Sequence, residues 1–298
     1  MDWKLTLAGL LIGLLVGMTG MGGGSLMTPL LVLVFGFKPT VAIGTDILHG
    51  AIFKSFGAAQ HRRLGHVHAR LTMWMLLGSA PASLAGVALS AWLESRYGDA
   101  FEDAARQVLG AALIVAGIGF FVKTFIHGRV SDQPYRLTNR DRVSAVLIGL
   151  FGGFVVGVTS VGSGTFFGLA MLVLFPLTAA KIVGTDIFHA ALLLWVAGAG
   201  QLAAGNVDLG ATAWLLCGSI PGVLIGGQVT VKLPDRALRV ALALVLSLAG
   251  VKLIDFPGAN AVLLVGIVLG GSVGVIALAR SIILGGRPRT ASEGSSDG

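Results

Sequence analysis

A short polar motif occurs twice in this 298-residue chain: Gly44-Thr45-Asp46-Ile47-Leu48-His49 returns as Gly184-Thr185-Asp186-Ile187-Phe188-His189. The two copies lie 140 positions apart. At the same offset, residues 9–90 align with residues 149–230 without a gap and with 26 identities in 82 pairs. A shared bias toward glycine and leucine does not place Thr-Asp-Ile-x-His twice at one offset. The sequence therefore predicts an internal duplication, which is the mark of a repeat architecture.

The composition is that of a membrane protein. The chain is 55% hydrophobic and only 12% charged, whereas a soluble domain carries about 25% charged residues. Its apolar residues form blocks such as 108–121, 238–251 and 261–278, and about 20 apolar residues span a bilayer as a helix. Backbone groups in lipid must be satisfied internally, and these blocks lack the alternation of barrel strands. We therefore predict an all-α membrane protein.

The charges of the loops predict that the two halves have opposite orientations. Residues 61–70 contain three arginines, whereas the aligned residues 201–210 contain no basic residue and carry Asp208. Residues 94–103 are net acidic, and their counterpart 232–239 is net basic. Basic loops stay in the cytoplasm, so the net charge of +7 is assigned to such loops and not to nucleic-acid binding. The halves are predicted to be inverted-topology repeats.

This pattern divides the chain into five parts. They are repeat one (1–126), a cytoplasmic linker (127–142), inverted repeat two (143–254), one additional transmembrane helix (255–285) and a disordered tail (286–298). In repeat one, residues 39–60, 71–93 and 106–126 are long enough to span, whereas 5–19 and 25–37 are short. These short pieces form broken helices or a re-entrant hairpin, so three or five crossings per repeat both stay open. The additional helix returns the C-terminus to the cytoplasm.

Glycines also recur at helical spacing. Gly9, Gly13 and Gly17 are spaced four residues apart, and so are Gly149, Gly153 and Gly157. Each row lies on one face of a helix, where small residues let two backbones approach closely. The rows predict tight helix pairs.

The glycine stretch at residues 20–24, the Gly44-Thr45-Asp46 block and the copies at Gly162 and Gly184 resemble the TauE/SafE sulfite exporter family, also called TSUP. The resemblance covers about residues 5–254. It implies a carrier of sulfite, sulfonates or related sulfur-containing organic anions in the cell inner (plasma) membrane. Ser163 stands where the first copy has Gly23, which is a departure between the two halves.

The paired glycine breaks are the predicted substrate site. A helix broken inside the bilayer exposes N–H groups at the start of its second half, and these groups and the helix dipole attract an anion. Interrupted helices at matching places in two repeats indicate a transport site. The alternative is that the glycines only permit packing. The predicted substrate-binding residues are Thr19, Gly22, Gly23, Gly24, Ser25, Thr159, Gly162, Ser163, Gly164 and Thr165.

The duplicated motif supplies a second candidate set. Residues three or four apart share a helix face, so an aspartate and a histidine of each copy form one polar cluster that could hold a proton. The alternative is that the aspartates cap helices that begin after Gly44 and Gly184. The predicted coupling or gating residues are Thr45, Asp46, His49, Thr185, Asp186 and His189.

Lys54 lies inside a predicted span, where it either snorkels to the cytoplasmic interface or attracts the anion. No cluster with the spacing of metal ligands or of a catalytic nucleophile is found, so we expect no cofactor, no metal and no enzymatic activity. The expected partners are a small anion and the lipid bilayer, and a homodimer stays open. The sequence predicts an alternating-access anion transporter, with proton coupling open, and a passive anion channel as the alternative.

Overall fold

The computed structural model describes residues 3–19, 24–126, 135–162, 164–228, 235–255, 258–260 and 264. Within these ranges the regular structure is entirely helical, as predicted. The helices are α1 (Trp3–Thr19), α2 (Gly24–Leu33), α3 (Pro39–Arg63), α4 (Ala69–Tyr97), α5 (Asp99–Lys123), α6 (Asn139–Thr159), α7 (Phe166–Leu174), α8 (Ala179–Ala203), α9 (Leu209–Gln228) and α10 (Asp235–Ile254). Residues 127–134 of the linker, most of the predicted additional helix and the tail lie outside the described residues.

Four described helices are long and apolar enough to cross a membrane, namely α4, α5, α6 and α8. Shorter apolar helices cover Trp3–Val16 and Leu209–Ile225. The outer surface is apolar as well, because large side chains such as Leu11, Val115 and Phe151 are more than half exposed. A soluble protein rarely exposes so large an apolar surface. The fold is therefore that of a multi-pass helical membrane protein.

The helices of the two halves correspond one to one. Helix α3 begins and ends 140 residues before α8, and α1, α2 and α4 have counterparts in α6, α7 and α9. The short helices α2 and α7 have 10 and 9 residues, about half of what a bilayer span needs. Each is buried at equivalent positions, with Met27 and Leu31 in one apolar core and Phe167 and Met171 in another. The duplication thus extends from sequence to packing.

The most extensive helix pairs form between the halves. Helix α1 packs along α9, and α6 packs along α4, so the two pairs are exchanged when the halves are exchanged. Helix α3 packs on its own counterpart α8, and α5 packs on α10. Neither half therefore encloses a core without the other.

The glycine rows make the close contacts that their spacing predicts. A Cβ atom on Gly9 would overlap the backbone carbonyl of Leu215, and one on Gly149 would overlap that of Met75. One turn later, Gly13 lies against the backbone of Ser219, and Gly153 lies against that of Ser79, the counterpart of Ser219. The prediction of tight glycine-mediated helix pairs is confirmed.

The contacts also give the directions of the paired helices. Gly57 on α3 faces Ile187 near the start of α8, whereas Gly198 near the end of α8 faces Leu48. Contacts that advance along one helix and retreat along the other define an antiparallel pair. Gly117 on α5 likewise faces Ala243, while Gly110 faces Gly250. Two helices that correspond in sequence thus run in opposite directions in both pairs.

Candidate functional site

The first two residues of each motif copy hold a loop of the other half. Gly44 lies against the backbone carbonyl of Asn206, and the Thr45 hydroxyl accepts a hydrogen bond of 3.0 Å from the Asp208 N–H. We call this contact with residues 206–208 the first clasp.

The other half repeats this arrangement. Gly184 lies against the carbonyl of His66, and the Thr185 hydroxyl accepts a hydrogen bond of 2.9 Å from the His68 N–H. We call this contact with residues 66–68 the second clasp. A side chain at either glycine would push the loop away. The glycine and threonine of the motif are therefore needed for the fit between the halves.

The histidines of the motif also reach across to the other half. His49 Nε2 lies 2.9 Å from the Ser219 hydroxyl, and His189 Nε2 lies 2.9 Å from the Ser79 hydroxyl. Since all four side chains are buried, each hydrogen bond satisfies groups that would be costly to leave unpaired. The predicted pairing of aspartate with histidine is therefore not a direct hydrogen bond. Asp46 and His49 do line one small cavity of about 10 Å³ together with Lys54.

Asp46 is held by two hydroxyl groups from different helices. Its Oδ2 atom accepts hydrogen bonds from Thr28 at 2.5 Å and from Ser160 at 2.7 Å, while Oδ1 has no hydrogen-bond partner. The carboxylate does not cap a helix, because α3 begins at Pro39 and continues through Gly44. The capping alternative is wrong for Asp186 as well, since α8 begins at Ala179.

Asp186 has different neighbours from its counterpart. The backbone N–H of Gly164 lies beside its carboxylate, and the ammonium group of Lys123 lies close enough to attract it. Its Oδ1 atom, like that of Asp46, has no hydrogen-bond partner. Lys123 in turn donates a hydrogen bond of 3.4 Å to the Gly164 carbonyl. The backbone of Gly164 thus lies beside both the Asp186 carboxylate and the Lys123 ammonium group.

Lys54 is a buried cation near the two aspartates. Its side chain is 4% exposed, so the expectation that it snorkels to the interface is wrong. Its ammonium group interacts electrostatically with both Asp46 and Asp186. Among the described residues, Lys54 and Lys123 form a buried cluster with the two aspartates, with two positive and two negative groups. We call it the charge cluster (Asp46, Lys54, Lys123 and Asp186).

The second glycine break is described, except for Ser163. Helix α6 ends at Thr159, Ser160 adopts a left-handed conformation with φ 62°, and Gly164 has φ 84°. The Thr159 hydroxyl donates to the Val155 carbonyl at 2.7 Å and accepts from the Val161 N–H at 3.2 Å. Thr159 therefore stabilises the break with its own hydrogen-bonding groups.

The cavity at this break is apolar. Thr159, Gly162 and Thr165 line a cavity of about 350 Å³ between α5, α6 and α7, and its other lining residues are all apolar. The Thr165 hydroxyl donates to the Gly162 carbonyl at 3.4 Å. The cavity itself therefore offers an anion few donors, whereas Ser160 and Gly164 of the break contact the charge cluster.

The first break is described only at its ends. Thr19 is the last residue of α1, and Gly24 and Ser25 begin α2. The predicted site residues Gly22 and Gly23, like Ser163 in the other half, lie outside the described residues. Their part in the site stays a prediction.

Sequence reasoning missed several residues of this centre. Thr28 and Ser160 differ between the repeats, so the alignment gave no signal for them. Ser79 and Ser219 are identical in both copies, and that identity could have marked them as partners. Lys123 was missed because it lies at the end of α5, outside both glycine breaks and the duplicated motif. Its position at the end of an apolar span could have indicated a functional lysine.

No group of three or more His, Cys, Asp or Glu side chains in the described part of the chain could hold a metal ion. The centre instead combines buried charges, a helix break and tight inter-half contacts within a multi-pass helical membrane protein. That combination is characteristic of membrane transporters, where intramembrane charges mark the path of a substrate or ion.

Comparison with known proteins identifies the family. The family model described as "Sulfite exporter TauE/SafE" matches residues 5–253, and the chain belongs to this family of membrane transporters. It is 38% identical over 256 residues to the probable membrane transporter protein YjnA of Bacillus subtilis (strain 168), covering 85% of this chain and all of the relative. The probable membrane transporter protein YdhB of the same organism is 25% identical over 244 residues, covering 82% and 96%. No solved structure matches.

Proposed function

We propose that this protein moves a small anion, sulfite or a sulfur-containing organic anion, across the cell inner membrane by alternating access. The substrate class is suggested by the name of the matching family. The observation that carries the proposal is the charge cluster, in which Lys54 and Lys123 are buried and Lys123 contacts the break at Gly164. Burying a charged lysine in a membrane protein costs free energy, so such a lysine indicates a site for a substrate or an ion.

The arrangement of the halves supports an inverted-repeat mechanism. Helices α3 and α8 correspond in sequence and pack antiparallel, as two halves inserted in opposite orientations require. The first clasp is near the start of α3, and the second clasp lies just beyond the end of α3. We assign one clasp to each side of the membrane, with the basic second-clasp loop and the C-terminus in the cytoplasm. Opening one clasp at a time would expose the charge cluster to one side at a time.

Reconstituted protein tests the proposal. Vesicles loaded with sulfite should take up labelled sulfite from outside faster than empty vesicles, because a carrier exchanges its substrate across the membrane. Uptake should saturate with concentration. Lys123→Gln should reduce uptake by about tenfold or more, since it removes a charged hydrogen-bond donor. Lys38→Gln is the matched control, because the Lys38 side chain is 65% exposed.

The same measurement separates the alternatives. A passive anion channel would give uptake that neither saturates nor accelerates when the vesicles are loaded. Absence of uptake for sulfite, thiosulfate, taurine and alkyl sulfonates would contradict the substrate class. The predicted binding residues at both breaks and the homodimer are further parts of the proposal that the same vesicles can test by substitution and cross-linking.

A further inference from the structure

The second glycine break already has a negatively charged group beside it, namely the carboxylate of Asp186. A break in a membrane helix attracts negative charge through its free N–H groups. Here the N–H of Gly164 and the ammonium group of Lys123 both lie beside the Asp186 carboxylate. Asp186 is 5% exposed and its Oδ1 atom has no hydrogen-bond partner. The carboxylate thus occupies the donors that a substrate anion would need.

The two repeats differ in the residue that lies next to the aspartate of the motif. Thr28, which donates to Asp46, corresponds to Gly168 in the second half. A Cβ atom on Gly168 would lie 2.7 Å from Lys123 Nζ and 3.6 Å from Asp186 Oδ2. Gly168 therefore leaves the space that the lysine occupies. Asp46 therefore accepts hydrogen bonds from neutral hydroxyl groups, whereas Asp186 has the lysine beside it.

The charge balance of the cluster limits how an anion can bind. Two buried lysines face two buried aspartates, and an uncompensated charge in a buried site is strongly unfavourable. An added anion would leave one negative charge in excess. A proton on one carboxylate restores the balance and also releases the donors which that carboxylate holds.

We propose that Asp186 is a built-in competitor of the substrate at Gly164 and Lys123, and that a singly charged oxyanion binds there only as Asp186 takes up one proton. This inference rests on the proposed function and adds a coupling ion to it. The proton neutralises the Asp186 carboxylate, which then leaves Lys123 and the Gly164 N–H to the anion. Lys54 compensates the remaining charge on Asp46. One proton therefore moves with each anion.

Other ionisable groups near Asp186 come from several elements. Helix α7 presents no titratable side chain, and α4 presents Ser79, which contacts His189. The charged or titratable groups are Lys54 from α3, Lys123 from α5, Arg239 of α10 behind Lys123, His66 and His68 at the second clasp, and Lys181 and His189 on α8 itself. Of these groups, Lys123 and Lys54 are the ones that attract the Asp186 carboxylate electrostatically.

Binding of methanesulfonate to the detergent-solubilised full chain tests the inference. This probe keeps one negative charge across the pH range, so only the protein titrates. Linkage predicts that its affinity falls as pH rises, by about tenfold per pH unit above the titration of free Asp186. Asp186→Asn should bind the probe with nearly constant affinity between about pH 5 and about pH 8. Asp103→Asn, which removes an exposed carboxylate far from the charge cluster in sequence, should retain the pH slope.

The outcomes separate this inference from the proposed function. Binding by the wild type that does not change with pH overturns the role of Asp186 and leaves anion transport standing. A slope that is kept in Asp186→Asn also overturns it. If the wild type binds neither methanesulfonate nor sulfite at any pH, the proposed function fails and this inference fails with it. Should Asp186→Asn not fold, proton uptake by the unbuffered wild type decides, with one proton per bound methanesulfonate expected and none overturning the inference.

Discussion

His49 Nε2 and the Ser219 hydroxyl lie 2.9 Å apart, although the two residues belong to different halves of the chain. The same bond recurs between His189 and Ser79, so exchanging the halves exchanges the two bonds. The motif that revealed the duplication is thus largely an inter-half fastener. Only the aspartate of each motif copy belongs to the charge cluster.

Removing a serine partner should destabilise the fold. Ser219→Ala leaves a nitrogen of the buried His49 ring unpaired, and an unpaired buried polar group costs about 1–3 kcal/mol. Ser79→Ala should cost a similar amount, because its contact is the repeat image of the first. Chemical unfolding in detergent micelles measures both. Ser95→Ala, at an exposed position, is the control, and equal stability of all three variants would contradict the fastener role.

The two clasps should respond separately to substitution. Thr45→Val keeps the side-chain shape and removes the acceptor for the Asp208 N–H, so hydrogen exchange at that amide should accelerate. Thr185→Val should accelerate exchange at His68 in the same way. Mass-spectrometric exchange of the two loops provides the readout, and each variant serves as the control of the other. Equal acceleration in both loops of both variants would show that the clasps are not independent.

Tight glycine contacts should tolerate no side chain. The Cβ atom of Gly153→Ala would overlap the backbone of Ser79, and such overpacking costs about 1–3 kcal/mol. At Gly119 the nearest atom to an added Cβ is a Leu169 side-chain carbon at 4.0 Å. Gly119→Ala should therefore leave stability unchanged or raise it slightly. Comparison of their unfolding midpoints decides, and a Gly153→Ala protein as stable as Gly119→Ala would contradict the packing.

Aligned positions should label from opposite sides of the membrane. Arg63 and Ala203 are repeat counterparts, and both are exposed. Arg63→Cys should react with an impermeant thiol reagent only from the cytoplasm, and Ala203→Cys only from outside. The native Cys217 is exposed and must first be replaced by alanine. Labelling of both positions from one side would end the inverted-repeat proposal.

Displacing Lys123 without removing its charge should weaken anion binding. A methyl group in Gly168→Ala would meet Lys123 Nζ at 2.7 Å, and the flexible lysine end can move aside. Loss of one charged hydrogen bond corresponds to roughly tenfold weaker affinity for methanesulfonate or sulfite. Stability should change little, which distinguishes this variant from Gly153→Ala. Unchanged affinity would show that the lysine does not contact the anion.

Sequence patterns predicted the large features of the fold because these depend on local composition. The duplication and the helical class followed from the motif offset and the apolar blocks, and the glycine rows predicted the tight pairs. The site was predicted less well. The alignment highlighted groups common to both halves, whereas Thr28, Gly168 and Lys123 differ between them.

By itself, the sequence determined that the chain is helical, resides in a membrane, is built twice and presents glycine faces for packing, since spacing and hydropathy act within single helices. The tertiary structure alone decided which groups meet. Lys123 approaches Gly164 across 41 positions, and Ser160 approaches Asp46 across 114, because helices from different parts of the chain converge there. It also decided that Thr45 and His49 hold the opposite half while Asp46 faces the charge cluster. Residues on one helix share a sequence pattern, but the neighbouring helix on each face determines what each side chain can do.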